Sequence, residues 1–206
     1  MKARGFSPKV VIDGGAHLGE FSTTVSAIFP QAKFHLIEPQ PACLAHLRRL
    51  VRERGFVLHE CALTDRPGEI FLLDTKVPST GAHVKPEPGL DTVSVPGNTL
   101  DALFGDSIRP SDRVLLKLDL QGFELHALRG GLETLGSIEA ILTEVSFYAQ
   151  AYEPPIAELT EFLADRSFRL YDIAALAARK RDNRLHQGDF VFVSDASPLL
   201  ADSRWG

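Results

Sequence analysis

The sequence predicts a doubly wound α/β domain built on a mostly parallel β-sheet. Short apolar runs alternate with segments of helical periodicity along the chain, and this alternation is typical of βαβ units. A glycine-rich turn joins the first apolar run to the first helical segment. The last two predicted strands are separated only by residues 174–189, little of which has a helical pattern. We therefore expect an antiparallel hairpin at one edge of the sheet.

The first half of the chain alternates between strands and helices. The segment 42–54 places Leu44, Leu47 and Leu50 on one helical face. Its arginines lie near its C-terminal end, where the helix dipole favours cations. The preceding helix stops at Pro30, which cannot continue a helix. The predicted elements are strands at 10–12, 33–37, 56–63 and 69–73, with helices at 20–29 and 42–54.

Residues 75–98 interrupt this alternation with four prolines and no clean periodicity: Pro78, Pro86, Pro88 and Pro96. A long irregular segment inside a compact domain is often a binding loop or lid, so we predict an irregular loop on the substrate side. The alternation then resumes. The remaining predicted elements are helices at 100–104 and 123–128, strands at 114–118 and 138–145, a helix opened by Pro154-Pro155 that runs to 165, and strands at 168–173 and 190–193.

Composition and charge exclude several classes of protein. The 206 residues contain no repeat or linker, so we predict one domain over residues 1–206. The net charge of −5 argues against a nucleic-acid surface. No stretch approaches the roughly 18 apolar residues of a membrane span, and the N-terminus lacks the apolar region of a signal peptide. Cys43 and Cys61 lie in apolar segments and predict reduced thiols, which favours a cytoplasmic location.

The glycine turn and an acidic residue at the next strand end predict a nucleoside site. The turn runs from Asp13 to Gly19, directly after the first strand. Its glycines allow the backbone to approach a ligand closely, and the following helix offers free N–H groups. Glu38 ends the second strand. In a doubly wound sheet these two points are neighbours at the carboxyl edge, where an acid can accept hydrogen bonds from both ribose hydroxyls.

The spacing D-x-G-x-x-x-G favours a nucleoside that carries a methionine over NAD. A dinucleotide places its pyrophosphate at the helix N-terminus and favours G-x-G-x-x-G. Asp13 would repel a pyrophosphate, whereas a carboxylate suits the ammonium group of an amino acid. The alternative to both ligands is that the glycine turn serves only packing and binds no ligand.

Ordered blocks of the chain resemble the FkbM family of methyltransferases over most of its length. The blocks are VIDGGAHLGEFS at 11–22, IEP at 37–39, ECALTD at 60–65, TLD at 99–101, LKLDLQGFE at 116–124, and Glu144. The resemblance implies a class I methyltransferase fold. This fold is Rossmann-like and doubly wound, with seven mostly parallel strands and an antiparallel edge strand. It also implies S-adenosylmethionine as the cofactor.

The resemblance assigns cofactor contacts to the first three blocks. Asp13, Gly15, His17 and Gly19 would surround the methionine end, Glu38 and Pro39 would hold the ribose, and Ala62, Leu63 and Asp65 would border the adenine. His17, Glu60 and Gln121 stand where the family usually has Asn, Asn and Glu. His17 can still donate and accept hydrogen bonds. Gln121 removes a charge beside the expected reaction centre.

Asp119 is the first candidate for the base or substrate anchor, because a hydroxyl acceptor must lose its proton during transfer. Glu124 and Glu144 could share a hydrogen-bond network with it as further catalytic residues. Asp119 could instead cap the next helix, and Glu124 could simply favour its first turn. Three acids at one rim could also hold a divalent cation, but the spacing assigns no metal ligand.

The leading hypothesis is O-methylation of a hydroxyl on a small-molecule acceptor. The resemblance alone implies this acceptor class, which includes sugars and polyketides. A catalytically weak S-adenosylmethionine-binding module stays open because of Gln121. The glycine spacing disfavours an NAD-type oxidoreductase. The net charge and the lack of an Asn/Asp-Pro-Pro-aromatic block disfavour a nucleic-acid methyltransferase. A homo-oligomer or a pathway partner is left open.

Overall fold

Buried apolar runs form the centre of a seven-stranded sheet in the computed structural model, which describes residues 1–148 and 156–201. The strands are β1 (Val10–Gly14), β2 (Lys33–Ile37), β3 (Val57–His59), β4 (Ala62–Leu63), β5 (Gly68–Leu73), β6 (Val84–Lys85), β7 (Thr92–Asn98), β8 (Val114–Leu118), β9 (Ile138–Ser146), β10 (Phe168–Ala178) and β11 (Leu185–Ser194). The helices are α1 (Glu20–Ile28), α2 (Pro41–Arg54), α3 (Leu100–Phe104), α4 (Glu124–Arg129) and α5 (Ile156–Ala164), with short 3-10 turns between some elements.

The order of strands in the large sheet is β10-β11-β9-β8-β1-β2-β3. The five strands from β9 to β3 are parallel neighbours, whereas β11 is antiparallel to both β9 and β10. The predicted fold class is therefore confirmed. The antiparallel strand lies one position in from the edge, between β9 and β10.

Helices cover both faces of this sheet, which explains why its central strands are continuous apolar runs. On one face, α1 and α2 pack over the side chains of Val11, Phe34 and Leu36. On the other face, α3, α4 and α5 pack over Ile12 and Leu116. None of the helices in the described residues is long and apolar enough to span a membrane.

Four short strands form a second sheet in the order β4-β7-β5-β6. The prediction of an irregular loop at 75–98 is therefore wrong for β6 and β7. Val93 and Val95 carry the alternating pattern of a strand, but Pro96 interrupts it and masks the signal. Val95 packs with Ala62 and Leu72 in a small core of its own.

Other predicted boundaries differ from the structure. The single strand predicted at 56–63 is two strands, since β3 belongs to the large sheet and β4 to the small one. Both strands of the predicted hairpin are longer than predicted: β10 runs to Ala178 and β11 begins at Leu185, and the two strands pair over these added residues. Pro154 and Pro155, predicted to open a helix, lie outside the described residues; α5 begins at Ile156.

A histidine pair connects β2 and β3 beneath α3. His35 Nδ1 lies 3.0 Å from His59 Nε2, and both rings meet the edge of Phe104. Burial, followed by the charges of His59 and Lys33, lowers the pKa of His35 from 6.5 to about 4. Burial also lowers the pKa of His59. The folded chain therefore holds this pair neutral where the unfolded chain would be protonated.

Because of this histidine pair, we expect the protein to lose stability as the pH falls from about 6.5 towards 4. In that window the unfolded state binds more protons, so the free energy of unfolding decreases with decreasing pH. Melting temperatures measured between pH 7 and 4.5 should fall less steeply for His35→Phe than for the wild-type protein. Equal slopes for the two proteins would assign the acid sensitivity to other groups.

Candidate cofactor and acceptor site

Two adjoining cavities lie at the carboxyl edge of the large sheet. The first cavity is lined by Gly15, His17, Ile37, Glu38, Pro39, Gln40, Cys61, Ala62, Leu63, Leu72, Ser79, Thr80, Ala82, Val84, Asp119, Leu120, Gln121 and Phe123. The second cavity, of about 250 Å³, is lined by Gly15, Ala16, His17, Glu20, Phe21, Thr80, Lys117, Leu118, Asp119, Leu142, Glu144 and Asp189. Gly15, His17, Thr80 and Asp119 line both cavities, so these four residues form a shared wall.

The glycine turn after β1 is held tightly against the end of β8. Gly15 has a φ of 73°, and a Cβ placed on it would lie 1.9 Å from the backbone oxygen of Asp119. The N–H groups of Gly15 and Ala16 both donate to the carbonyl of Ile37, at 3.0 and 3.1 Å. Gly19 lies in the left-handed region at the start of α1, where a Cβ would meet Leu50 at 2.4 Å. The turn therefore requires glycine at 15 and 19, although only Gly15 lines a cavity.

Glu38 is held by the backbone on both sides. Its Oε2 accepts from the N–H of His17 at 2.7 Å, and its Oε1 accepts from the N–H of Gln40 at 2.9 Å. Burial raises the pKa of Glu38, while these two hydrogen bonds and the charges of His17 and Lys117 lower it. Each carboxylate oxygen has a further lone pair for a ligand in the first cavity.

His17 joins the two cavities and has a strained backbone. Its φ of 49° lies in the left-handed region, which Asn, Asp and His tolerate better than most residues. The Asn that the family resemblance places at this position would tolerate the same conformation. Its Nε2 is buried and has no hydrogen-bond partner among the described residues, and the residue lines both cavities.

Asp13 and Lys117 form a buried ion pair under the glycine turn. Asp13 is fully buried, and its Oδ2 accepts from the Ser22 hydroxyl at 2.6 Å. The Lys117 ammonium lies 3.2 Å from Asp13 Oδ1. Burial raises the pKa of Asp13, and the charge of Lys117 lowers it. Asp13 is not among the described residues that line either cavity. Its carboxylate instead contacts Ser22 and Lys117.

Asp119 follows β8 and is half-exposed at the shared wall. Its Oδ1 accepts from the Gln121 side-chain amide at 2.9 Å, and its Oδ2 lies 3.7 Å from the Lys117 ammonium. A glutamate at position 121 could not donate this hydrogen bond. Gln121 therefore orients Asp119, and the carboxylate faces both cavities.

Glu124 and Glu144 have different surroundings. The buried Glu124 carboxylate accepts from the N–H of Leu120 at 2.6 Å and thereby holds the loop before α4. Glu124 is not among the described residues that line either cavity. Glu144 lines the second cavity, where its Oε1 accepts a hydrogen bond from the Gln187 side-chain amide of β11.

Apolar side chains form much of the first cavity beyond Glu38. Ala62 and Leu63 of β4 form one wall, and Ala82 and Val84 lie in the segment that connects β5 to β7. The Ser79 N–H donates to Gln40 Oε1 at 3.2 Å, which ties this segment to the start of α2. Pro39 also lines the cavity, whereas Asp65 is exposed and is not among its described lining residues.

Three charged residues of the second cavity were not predicted as site residues: Glu20, Lys117 and Asp189. Lys117 is the only charged side chain in the otherwise apolar β8, and a buried charge in such a strand is a signal of pairing or function. Asp189 lies opposite Glu144 in the register of β11 and β9. Burial and the charge of Asp119 raise the pKa of Asp189, while Lys117 lowers it. Only tertiary pairing brings Asp189 to the site, so local sequence gave no signal for it.

The site holds no cluster of metal-ligating residues within the described ranges. Cys61 lines the first cavity as a free thiol, and burial raises its pKa to about 11. Its thiol is therefore protonated at neutral pH and contributes apolar surface.

Known proteins resemble this chain in sequence and in fold. The family model described as methyltransferase FkbM domain matches residues 13–170. The methyltransferase FkbM structure from Methylobacillus flagellatus KT has a TM-score of 0.58 and 18% identity, and the match covers 89% of this chain and 43% of that one. Magnesium protoporphyrin IX methyltransferase from Synechocystis PCC 6803, solved with bound SAM, has a TM-score of 0.52 and 10% identity, covering 94% and 73% of the two chains. Among curated proteins, none matches the chain.

Both solved structures share the fold of this chain. The matched region spans less than half the length of the Methylobacillus chain. The family match covers all the sequence blocks from Asp13 to Glu144, including the turn, Glu38 and Asp119.

Proposed function

This chain belongs to the FkbM methyltransferase family, and we propose that it transfers a methyl group from S-adenosylmethionine to a hydroxyl of a small-molecule acceptor. The observation that carries the proposal is the pair of adjoining cavities with a shared wall. One cavity combines a held carboxylate with apolar walls, as a nucleoside requires. The other is lined by the carboxylates of Glu20, Asp119, Glu144 and Asp189 together with the Lys117 ammonium and apolar side chains. Two cavities that meet at Gly15, His17, Thr80 and Asp119 suit a reaction that brings a cofactor and an acceptor into direct contact.

Residues of the first cavity would contact the ribose, the adenine and the methionine end of the cofactor in turn. Glu38 would accept from the ribose hydroxyls through the lone pairs that His17 and Gln40 leave free. Ala62 and Leu63 would contact the adenine, and Asp65 would meet it only at its outer edge. The methionine end would reach the wall formed by Gly15 and the unpartnered Nε2 of His17. Asp13 and Gly19 would act indirectly, by holding the turn.

The residues of the second cavity would bind the acceptor and remove its proton. S-adenosylmethionine supplies a methyl group on a positively charged sulfur. Asp119 would accept the proton of the acceptor hydroxyl as the new oxygen–carbon bond forms and the sulfur–methyl bond breaks, which leaves S-adenosylhomocysteine as the second product. Glu144 and Asp189 line the same cavity and would anchor other polar groups of the acceptor. Alignment of the hydroxyl oxygen with the methyl carbon can contribute about 7–11 kcal/mol. Glu124 would position the loop that carries Asp119 and Gln121.

Replacing Glu38 tests the proposed cofactor cavity. Glu38→Ala should weaken binding of S-adenosylhomocysteine at least about tenfold, because one hydrogen bond to a charged group is worth about 1.5–3 kcal/mol. Calorimetric titration measures this change. Glu53→Ala, an exposed glutamate of α2, is the matched control and should bind like the wild-type protein. Unchanged affinity in Glu38→Ala would remove Glu38 from the site.

A further inference from the structure

Lys117 stands out because a charged side chain occupies the middle layer of the fold. The residue is only 9% exposed, and the other four residues of β8 are buried and apolar. Burial of an ammonium group is costly unless partners replace its water. A strand that needed only packing would be served better by leucine at this position. The contacts of the ammonium therefore indicate what the charge does.

Those contacts reach from β8 to the glycine turn. The Lys117 Nζ donates to the carbonyl of Gly15 at 2.7 Å and to that of Gly14 at 3.2 Å. It also lies 3.2 Å from Asp13 Oδ1 and 3.7 Å from Asp119 Oδ2. The ring of Phe21 in α1 covers it, with its centroid 5.9 Å away. A single ammonium thus connects the turn, the buried Asp13 and the candidate base.

We propose that Lys117 is a positioning residue for methyl transfer, which holds the carbonyls of Gly14 and Gly15 in place for the cofactor and steadies Asp119 at the shared wall. This inference rests on the proposed function. It differs from a purely structural role, in which Lys117 would only neutralise Asp13. The bonds to the two turn carbonyls support the positioning role because they fix the turn whose Gly15 lines both cavities.

A double variant distinguishes the two roles. Lys117→Met leaves Asp13 as an unpaired buried carboxylate, so its melting temperature should fall by about 10 °C. Lys117→Met/Asp13→Asn removes both charges and should recover most of that loss. If Lys117 positions the turn, the double variant should still bind S-adenosylhomocysteine at least about tenfold more weakly than Asp13→Asn alone. Equal affinities in these two variants would overturn the proposal.

Lys117→Arg is the second variant, in case the double variant does not fold. It keeps the positive charge beside Asp13 and should melt close to the wild-type temperature. Its planar guanidinium cannot repeat the geometry of the ammonium at the two carbonyls. Lys117→Arg should therefore bind S-adenosylhomocysteine at least about fivefold more weakly than the wild-type protein. Wild-type affinity in Lys117→Arg would contradict the proposal. Lys9→Met, an exposed lysine paired with Asp112, is the control and should match the wild-type protein in both measurements.

The wild-type protein separates this inference from the function on which it rests. If the wild-type chain does not bind S-adenosylhomocysteine, the proposed function fails, and the role of Lys117 in it fails with it. If the wild-type chain binds and the Lys117 variants bind equally well, the proposed function stands and only the inference about Lys117 is overturned.

Discussion

Gly15→Ala should abolish measurable binding of S-adenosylhomocysteine. The added Cβ would lie 1.9 Å from the backbone oxygen of Asp119, far inside van der Waals contact. The backbone φ of 73° adds a cost of about 1 kcal/mol for a residue with a Cβ. The clash involves backbone and cannot be relieved by a rotamer change, so the turn must move away from the end of β8. Gly15 lines both cavities, so this movement would displace the wall that the methionine end of the cofactor is proposed to contact.

Gly55→Ala is a matched control for this substitution. Gly55 has nearly the same φ, 72°, but its Cβ would meet no described atom within 4 Å. It therefore carries the cost of the backbone conformation without the clash. Titration calorimetry should find wild-type affinity for Gly55→Ala, and a melting curve should show whether Gly15→Ala remains folded. Near-normal binding in a folded Gly15→Ala protein would show that the turn does not form the cofactor site.

Asp119→Asn should reduce methyl transfer by about 10²–10⁴-fold, the range for loss of a positioned general base. The amide keeps the shape of the carboxylate but cannot take a proton from the acceptor. S-adenosylhomocysteine affinity should stay close to that of the wild-type protein, because Glu38 and the turn are unchanged. The measurement is transfer of a labelled methyl group to a hydroxyl acceptor found in a screen of sugars and polyketides.

Asp106→Asn, at an exposed position after α3, serves as the control for loss of an aspartate and should retain full activity. Full activity in Asp119→Asn would instead assign the proton to Asp189 or Glu144 in the same cavity. Binding of the cofactor with no transfer to any acceptor, in the wild-type protein, would favour a binding module without turnover.

The centre of the large sheet could be predicted because central strands such as β1 and β8 are buried on both faces. Residues 114–118 and 33–37 are mainly apolar runs between turn signals, and their predicted bounds agree with β8 and β2. The second sheet could not be predicted in the same way. β4 and β6 have two residues each and are stabilised by pairing with β7 and β5 rather than by local propensity.

Site residues that follow the ends of strands could be predicted from the sequence. Site residues that reach the cavities through tertiary contacts could not. Gly15, Glu38 and Asp119 follow three neighbouring parallel strands, so topology alone brings them together. Asp189 reaches the cavity through the antiparallel pairing of β11 with β9, which the sequence does not specify at that register. The sequence shows Lys117 as the single charge in an apolar strand, but it does not indicate which residues the ammonium contacts.

The most direct test of the account is calorimetric titration of the wild-type chain with S-adenosylmethionine, S-adenosylhomocysteine and NAD. Glu38 and the apolar first cavity predict that both sulfur nucleosides bind. The turn lacks the G-x-G-x-x-G spacing for a pyrophosphate, so NAD should show no heat of binding. Binding of NAD without either sulfur nucleoside would contradict the central claim that this cavity is built for S-adenosylmethionine.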